Sequence, residues 1–506
     1  MSKTSILKST IIVTAIAVLS RFIGAFRDIL ITNNFGATVY TDAYKISASI
    51  PDIVFMIIGL AISTSFLPTL SRIKVKSGDE EMHDFANNII NILFVISIII
   101  FVFFSFFPEM IVNILAKDAP QETILIATNL TRIILVNLIF LAINACFTTL
   151  LQVHEDFIIP SVLGLFFNLP MIIYLLVVKD YNIYGLTIAN VIGNFLRVVV
   201  QIPSLRKHGY RYRFFIDLKD ERVRNILILI IPVVIGAGAN SLNLVVDKSI
   251  ASGLGEGSVT TLDNAQLLVN FINAMVTTAI TSVIYPVLAN YLCQGKKKEF
   301  LELLSKSIVY LAILLIPITL GVLIYSGDII KAVFLRGMYT EHAATLASLA
   351  LFGYAFGIFF TGLRDLLNST LFSMGYTKIT AKNGCIGVII NIILCITLSK
   401  IFGITGIAVA SSIAMIVTSM LLLKNIIKLE GKLELKPLIY GIIKIIASAC
   451  VMAVILLVIN TVFINISYIL KLIIGICIGG VAYLFSAYLF KIQEIREIIK
   501  LVRRKG

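Results

Sequence analysis

Long apolar runs separated by short charged segments recur from one end of the chain to the other. A helix needs about 20 mostly apolar residues to cross a hydrocarbon layer about 30 Å thick. Fourteen segments meet that requirement: 9–33, 43–70, 86–107, 122–151, 157–178, 182–204, 225–250, 261–292, 301–325, 343–373, 378–399, 403–424, 437–461 and 467–490. The runs are continuously apolar, whereas a membrane barrel strand alternates in and out over about 10 residues. The pattern predicts an all-α polytopic membrane protein of about 14 transmembrane helices.

Composition narrows the classes further. Of 506 residues, 58% are hydrophobic and 14% charged, with mean hydropathy +0.99. Soluble domains carry about 25% charged residues, so soluble domains and disorder are both excluded. Six cysteines form no C-x-x-C pair and read as small buried hydrophobes, not a disulfide scaffold. Four histidines have no metal-ligand spacing, so no metal site is expected. There is no Walker A run, no H-E-x-x-H and no G-x-S-x-G, so the motifs of ATP hydrolysis and of the common hydrolases are missing. A transporter without an organic cofactor is expected. The first apolar run lacks an A-x-A end and carries Arg21, against a cleavable signal.

The net charge of +14 would suggest nucleic acid on a soluble chain. Here it follows the membrane. Alternate loops hold Arg72, Lys74 and Lys76, then Arg206, Lys207, Arg211, Arg213, Lys219, Arg222 and Arg224, then Lys296–Lys298, then Lys424, Lys428, Lys432 and Lys436. The ends hold Lys3 and Lys8, and Arg496, Lys500, Arg503, Arg504 and Lys505. Cytoplasmic loops are the ones enriched in Lys and Arg. An even span count with both termini cytoplasmic follows, and the basic face meets anionic lipid headgroups. No nucleic-acid partner is needed.

The chain also repeats itself at a shift of about 220 residues. Asp28 and Gly36 recur as Asp247 and Gly255, AISTSFLPTL (61–70) as AITSVIYPVL (279–288), and IYGLTIA (183–189) as ITGIAVA (404–410). Each copy holds six expected helices, so both have the same orientation. The expected organisation is an N-lobe over 1–220, a C-lobe over 221–432, and two further helices with a basic tail over 433–506. Parallel repeats of this kind bind substrate where the repeats meet and alternate access by rocking. A monomer is expected.

Polar residues inside the spans mark the candidate chemistry. Helix one carries Ser20, Arg21, Gly24, Arg27 and Asp28. At 100° per residue, Arg21 and Asp28 nearly coincide in angle, with Gly24 and Arg27 within about 120° of Arg21. An arginine at mid-bilayer costs from about 3 to over 10 kcal/mol unless it faces a cavity or a partner. Two arginines and one aspartate leave a net positive face suited to an anion. For Arg27 the alternative is snorkelling to the outer headgroups. Asp42, Lys45, Pro51 and Asp52 follow in helix two, and Asn240, Asn243, Asp247 and Lys248 in helix seven. Asp42 reads either as a site carboxylate or as a helix cap. Arg197 reads as snorkelling, and the adjacent Arg364 and Asp365 point about 100° apart and need not pair.

The run SRFIGAFRDILITNNFGATVYTDAYKISASIPD (20–52) resembles the opening of the lipid II flippase family, MurJ or MviN. Ser20, Arg21, Gly24, Arg27, Asp28, Phe35, Gly36, Thr41, Asp42, Ala43 and Pro51 carry the pattern. The helix count and parallel halves are likewise similar to this family, within the multidrug/oligosaccharidyl-lipid/polysaccharide exporter superfamily. The resemblance implies transfer of undecaprenyl-pyrophosphate-linked disaccharide-pentapeptide to the outer leaflet of the bacterial plasma membrane, beside the cell-wall synthesis machinery. It implies a cationic cavity with Arg21 and Arg27, Asp28 as charge partner, Asp42 opening helix two, and a lipid-tail groove on the last two helices. The family's further arginines in helices two and eight are missing: no Lys or Arg lies between Lys45 and Arg72 or between Lys248 and Lys296. Lys45 and Lys248 are the candidate substitutes. Exporters of other isoprenoid-linked oligosaccharides share the implied architecture, whereas a multidrug/cation antiporter would want an acidic chamber. With no nucleotide motif, coupling falls to the membrane potential or an ion. Asp247, Lys248, Asn391 and Ser411 are the coupling candidates. Sodium and protons are the candidate ions, and sodium is disfavoured because Cys395 stands one turn beyond Asn391, where an acid would strengthen the site.

Overall fold

The structure, a computed structural model, describes residues 3–224, 242–431, 435–463, 466–492 and 494–495. With no water in a lipid core, each span must satisfy its backbone polar groups internally, which a helix does. The first helices are α1 (Lys3–Phe35), α2 (Val39–Ala61), α3 (Leu67–Phe106), α4 (Pro108–Ala116), α5 (Gln121–Ile134), α6 (Asn137–Val153), α7 (Ile158–Val177) and α8 (Ile183–Lys207). Residues 242–252 form α9. Then come α10 (Ser258–Cys293), α11 (Lys297–Phe334), α12 (Glu341–Ala355), α13 (Ile358–Ser373), α14 (Thr377–Phe402), α15 (Ile404–Glu430), α16 (Leu435–Val462) and α17 (Tyr468–Leu489).

Among the described residues, nine helices are long and apolar enough to cross a membrane. The number is eleven if each bent pair, α5 with α6 (44°) and α12 with α13 (48°), is one span. The polytopic all-α class stands, and this count is lower than the fourteen expected from hydropathy. The expected span 225–250 is described only from residue 242, so Asn240 lies outside the described residues, as do Lys432 and the tail from Arg496 onward.

The chain divides into two units, one of residues 1–260 with 337–339, the other of 261–336 with 340–506. In the first, α1 packs on α7, α7 on α8, α2 on α5 and α3 on α6. Small residues permit these approaches: Gly164 of α7 lies against the Ser20 hydroxyl, and Gly193 of α8 against the Phe167 carbonyl. Gly36 closes α1 with φ +67° and donates its N–H to the Thr32 carbonyl, the left-handed helix end that glycine adopts without strain. Its repeat counterpart Gly255 also has positive φ, +115°.

One end of this unit is built on polar side chains of α3. Asn87, Asn88 and Asn91 are buried and donate to the carbonyls of Arg211, Asp217, Arg213 and Phe215 at 2.8–3.0 Å. In return Asn88 accepts from Asp217 N–H, Asn87 from Tyr210 OH and Asn91 from Tyr212 OH. The extended segment after α8 thus has its backbone bonded by side chains instead of a neighbouring strand.

In the second unit α14 and α15 form a hairpin turned at Gly403 (φ +56°), and α11 packs on α12, α13, α16 and α17. The last two helices lie outside the sequence repeat but are joined to α11 by polar contacts. Tyr325 donates to the Leu456 carbonyl (3.3 Å) and Tyr483 to the Ile313 carbonyl (2.9 Å). Lys471 pairs with Asp328 at 3.3 Å and donates to Asn460.

Candidate functional site

The charged face of α1 meets α2, α7 and α8 within the first unit. Arg27 donates through Nη2 to both oxygens of Asp28 (3.0 and 3.1 Å) and through Nη1 to Asn168 Oδ1 (2.9 Å) on α7. Lys45 Nζ of α2 lies 3.6 Å from Asp28 Oδ1. One carboxylate therefore serves two cations, and all three side chains are less than one-fifth exposed. Lys248 of α9 donates to the Lys45 carbonyl at 3.3 Å, and Asp247 beside it is buried.

A further cation completes this cluster. Phe167 of α7 has the guanidinium of Arg27 5.3 Å from its ring centroid and that of Arg197 4.7 Å from it. Both are within cation–π range. Arg197 also donates to Asn194 at 3.1 Å. It does not snorkel to the inner surface as its place in the sequence suggested. The buried Nε atoms of both Arg27 and Arg197 lack a hydrogen-bond partner in the structure. An unmatched buried donor is costly, so both guanidiniums keep bonding capacity for a guest.

Arg197 belongs to a polar stripe along α8 that sequence reading missed. Asn190 accepts from Asn137 (2.9 Å) and donates to Tyr44 OH (2.9 Å), while Gln201 donates to Asn144 (3.0 Å). The signal was present: Asn190, Asn194, Arg197 and Gln201 follow at spacings of four, three and four, one helix face inside an apolar span.

The expected site residues divide into three groups. Arg27, Asp28 and Lys45 come together, with Gly24 close to Asn168 and Ser20 against Gly164 at the same α1–α7 contact. Arg21 is exposed and makes no hydrogen bond or ion pair with any described residue. Asp42 is buried and bonded elsewhere. It accepts from Gly257 N (2.8 Å), Thr260 N (2.8 Å) and Thr260 Oγ1 (2.6 Å) at the start of α10. It caps that distant helix, not its own.

In the second unit Asn391 is buried and accepts from Cys395 Sγ at 3.6 Å, while Ser411 is partly buried. Arg364 and Asp365 do pair, at 2.9 Å. Adjacent side chains that leave a helix 100° apart are long enough to bend together, which the angular argument overlooked. No cluster of His, Cys, Asp or Glu among the described residues can hold a metal.

At the end of the first unit held by the α3 asparagines, three of the four histidines meet. Lys74 Nζ lies 3.0 Å from His154 Nδ1 and can only donate, so His154 carries its proton on Nε2 and donates to His83 Nε2 at 3.2 Å. The His208 ring stacks on His154 at 4.6 Å. Partial burial and the Lys74 charge push His154 down to about 4, and burial lowers His83.

A family model described as lipid II flippase MurJ matches residues 31–477. The chain belongs to the lipid II flippase MurJ family. A probable MurJ of Buchnera aphidicola from Acyrthosiphon pisum is 25% identical, over 98% of this chain and 99% of that one. A Vibrio cholerae relative of the same description is 27% identical over 83% of both. A solved MurJ, in an inward closed conformation, has 26% identity and TM-score 0.85, covering 97% of this chain and 100% of its own. An inward-facing multidrug transporter of the MATE family shares the fold at 13% identity and TM-score 0.62, over 81% of this chain and 95% of its own. MurJ membership makes this a multi-pass membrane protein, and places the Arg27 cluster in a family of transporters and not of enzymes.

Proposed function

We propose that this protein is a flippase that moves lipid II, the undecaprenyl-pyrophosphate-linked peptidoglycan precursor, from the inner to the outer leaflet by alternating access. The observation that supports this most is the α1 face. Arg21 has no partner among the described residues, and Arg27 and Arg197 keep unused donors around one shared carboxylate. A diphosphate brings the acceptors these groups lack, and guanidinium binds phosphate oxygens in bidentate fashion. Arg21, Arg27, Lys45 and Arg197 would hold the headgroup. Asp28 orients Arg27 and Lys45, Ser20 and Gly24 keep α1 close to α7, and Asp42 fixes the start of α10.

Transport would draw on the membrane potential, since each charge crossing 100 mV yields about 2.3 kcal/mol. Asp247 then acts as an ion-pair partner of Lys248 or Arg27. Sodium at a site with Asn391 and Ser411 is the competing coupling. In the same reading both termini are cytoplasmic, the basic inner face meets anionic lipids, and the monomer delivers substrate to cell-wall synthesis enzymes.

The test is complementation of a flippase-depleted bacterium, with the leaflet of lipid II measured directly. The wild-type gene should restore outer-leaflet lipid II. Arg21→Ala should reach the membrane at normal level, because an exposed side chain contributes little to folding, and should fail to restore outer-leaflet lipid II. Full activity in Arg21→Ala would overturn the assignment of the site. In vesicles, strict sodium dependence at fixed potential, lost in Asp247→Asn, would overturn the coupling.

A further inference from the structure

A cavity of about 870 Å³ lies in the first unit among α3, α6 and α8, within the size range of small-molecule sites. Each helix gives it one pair of residues four apart: Ile90 and Phe94, Ile143 and Phe147, Val198 and Ile202. Residues at that spacing share a helix face, so the three pairs form an apolar chute. Arg206 and Arg211 line its other end. Both side chains are exposed and have no hydrogen-bond or ion-pair partner among the described residues.

This rim is a fixed part of the fold. The asparagines of α3 bond the backbone of 211–217 at several points, as described above. That hold leaves Tyr212, Phe214, Phe215, Ile216 and Leu218 exposed beside the arginines. A soluble surface would not present such a row. At a membrane–water boundary it is expected, because aromatic rings settle at headgroup level.

The geometry points to a resident-lipid site: we propose that this cavity binds a phospholipid of net negative headgroup, with acyl chain in the chute and phosphate between Arg206 and Arg211. Basic pockets between spans on the cytoplasmic side favour such headgroups. A zwitterionic lipid brings its own cation towards two unpaired guanidiniums and is disfavoured by like charge. A soluble phosphate leaves the chute unfilled. The inference rests on the chain spanning a membrane, not on which lipid it transports.

Native mass spectrometry of the full chain tests this, using phosphatidylglycerol and phosphatidylcholine of identical long acyl chains. The unmodified protein should retain phosphatidylglycerol roughly thirty-fold better, at one cytoplasmic-surface contribution per arginine. Arg206→Gln with Arg211→Gln should bind the two lipids alike. Arg72→Gln with Lys76→Gln, at the start of α3 and outside the cavity lining, should keep the preference. Ile143→Trp, which fills the chute, should lose both lipids. The unmodified protein should also bind dihexanoyl-phosphatidylglycerol far more weakly than the long-chain lipid, a comparison that needs no variant. The proposal is overturned if the double arginine variant keeps its preference. It is equally overturned if short- and long-chain lipids bind alike, or if glycerol phosphate displaces the long-chain lipid at matched concentration.

Discussion

The same dipeptide, Arg-Asp, occurs inside a helix in each unit and meets different fates. Arg27–Asp28 and Arg364–Asp365 both close an ion pair between neighbours, at 3.0 and 2.9 Å. The first pair is 18% and 11% exposed and is ringed by Lys45, Asn168 and Phe167. The second is 30% and 43% exposed, and Arg364 has one further contact, the sulfur of Met415. The pairing is local, but its consequence is set by the surroundings. Where burial and a second cation are added, the carboxylate is shared and a guanidinium keeps an unused donor. Where they are not, the pair is self-sufficient.

The largest effect should come from breaking the buried pair. Arg27→Ala leaves Asp28 to Lys45 alone, and loss of one partner of a buried pair costs about 3–5 kcal/mol. It should lower the melting temperature in detergent and abolish lipid II transfer together. Arg27→Lys should recover much of the stability and little of the transport, because an ammonium cannot contact Asp28 and Asn168 as a planar fork does. Equal stability of Arg27→Ala and wild type would break the comparison.

Lys471–Asp328 sharpens it, being as buried as the first pair but outside the polar cluster. Lys471→Ala strands Asp328 and should cost about 1–3 kcal/mol. It should also loosen α16 and α17, seen as faster proteolysis near residue 463. Arg364→Ala should cost less than about 1 kcal/mol, as for a half-exposed pair, and leave transport within a few-fold of wild type.

The smallest effect concerns the histidines. His154 lies near 4 in the folded protein, below its ordinary value of 6.5. The unfolded chain therefore binds the extra proton first, so stability falls as pH drops from 6.5 towards 4 and is fully present above that window. His154→Gln should flatten the dependence of the melting temperature on pH across it.

What the sequence disclosed was what lies close together along it. Hydropathy is a local sum, so the spans were legible, and the α1 face was legible because Arg21, Gly24, Arg27 and Asp28 lie within two turns of one helix. The contact of Arg197 with Phe167 was hidden, since it depends on how α7 and α8 pack. Tyr44, Asn137 and Asn190 come from three helices, and no spacing rule joins them. The histidines seemed scattered because positions 83, 154 and 208 meet only through chain turns at one end of the unit.

The cap made by Asp42 sets a timetable for synthesis. Its carboxylate is emplaced in α2, yet its partner Thr260 follows 218 residues later. At about 5–20 residues per second, a ribosome takes roughly 10–45 s to supply that stretch. Through that interval the start of α2 has no α10 to hold, and an ionised carboxylate stays in water until donors arrive. Insertion of the early helices and closure of this end of the unit are thus separate events, the second waiting on translation of the next helices. A stalled or truncated product ending before residue 257 would carry the whole Arg27 cluster and still present an unfinished rim to quality-control proteases.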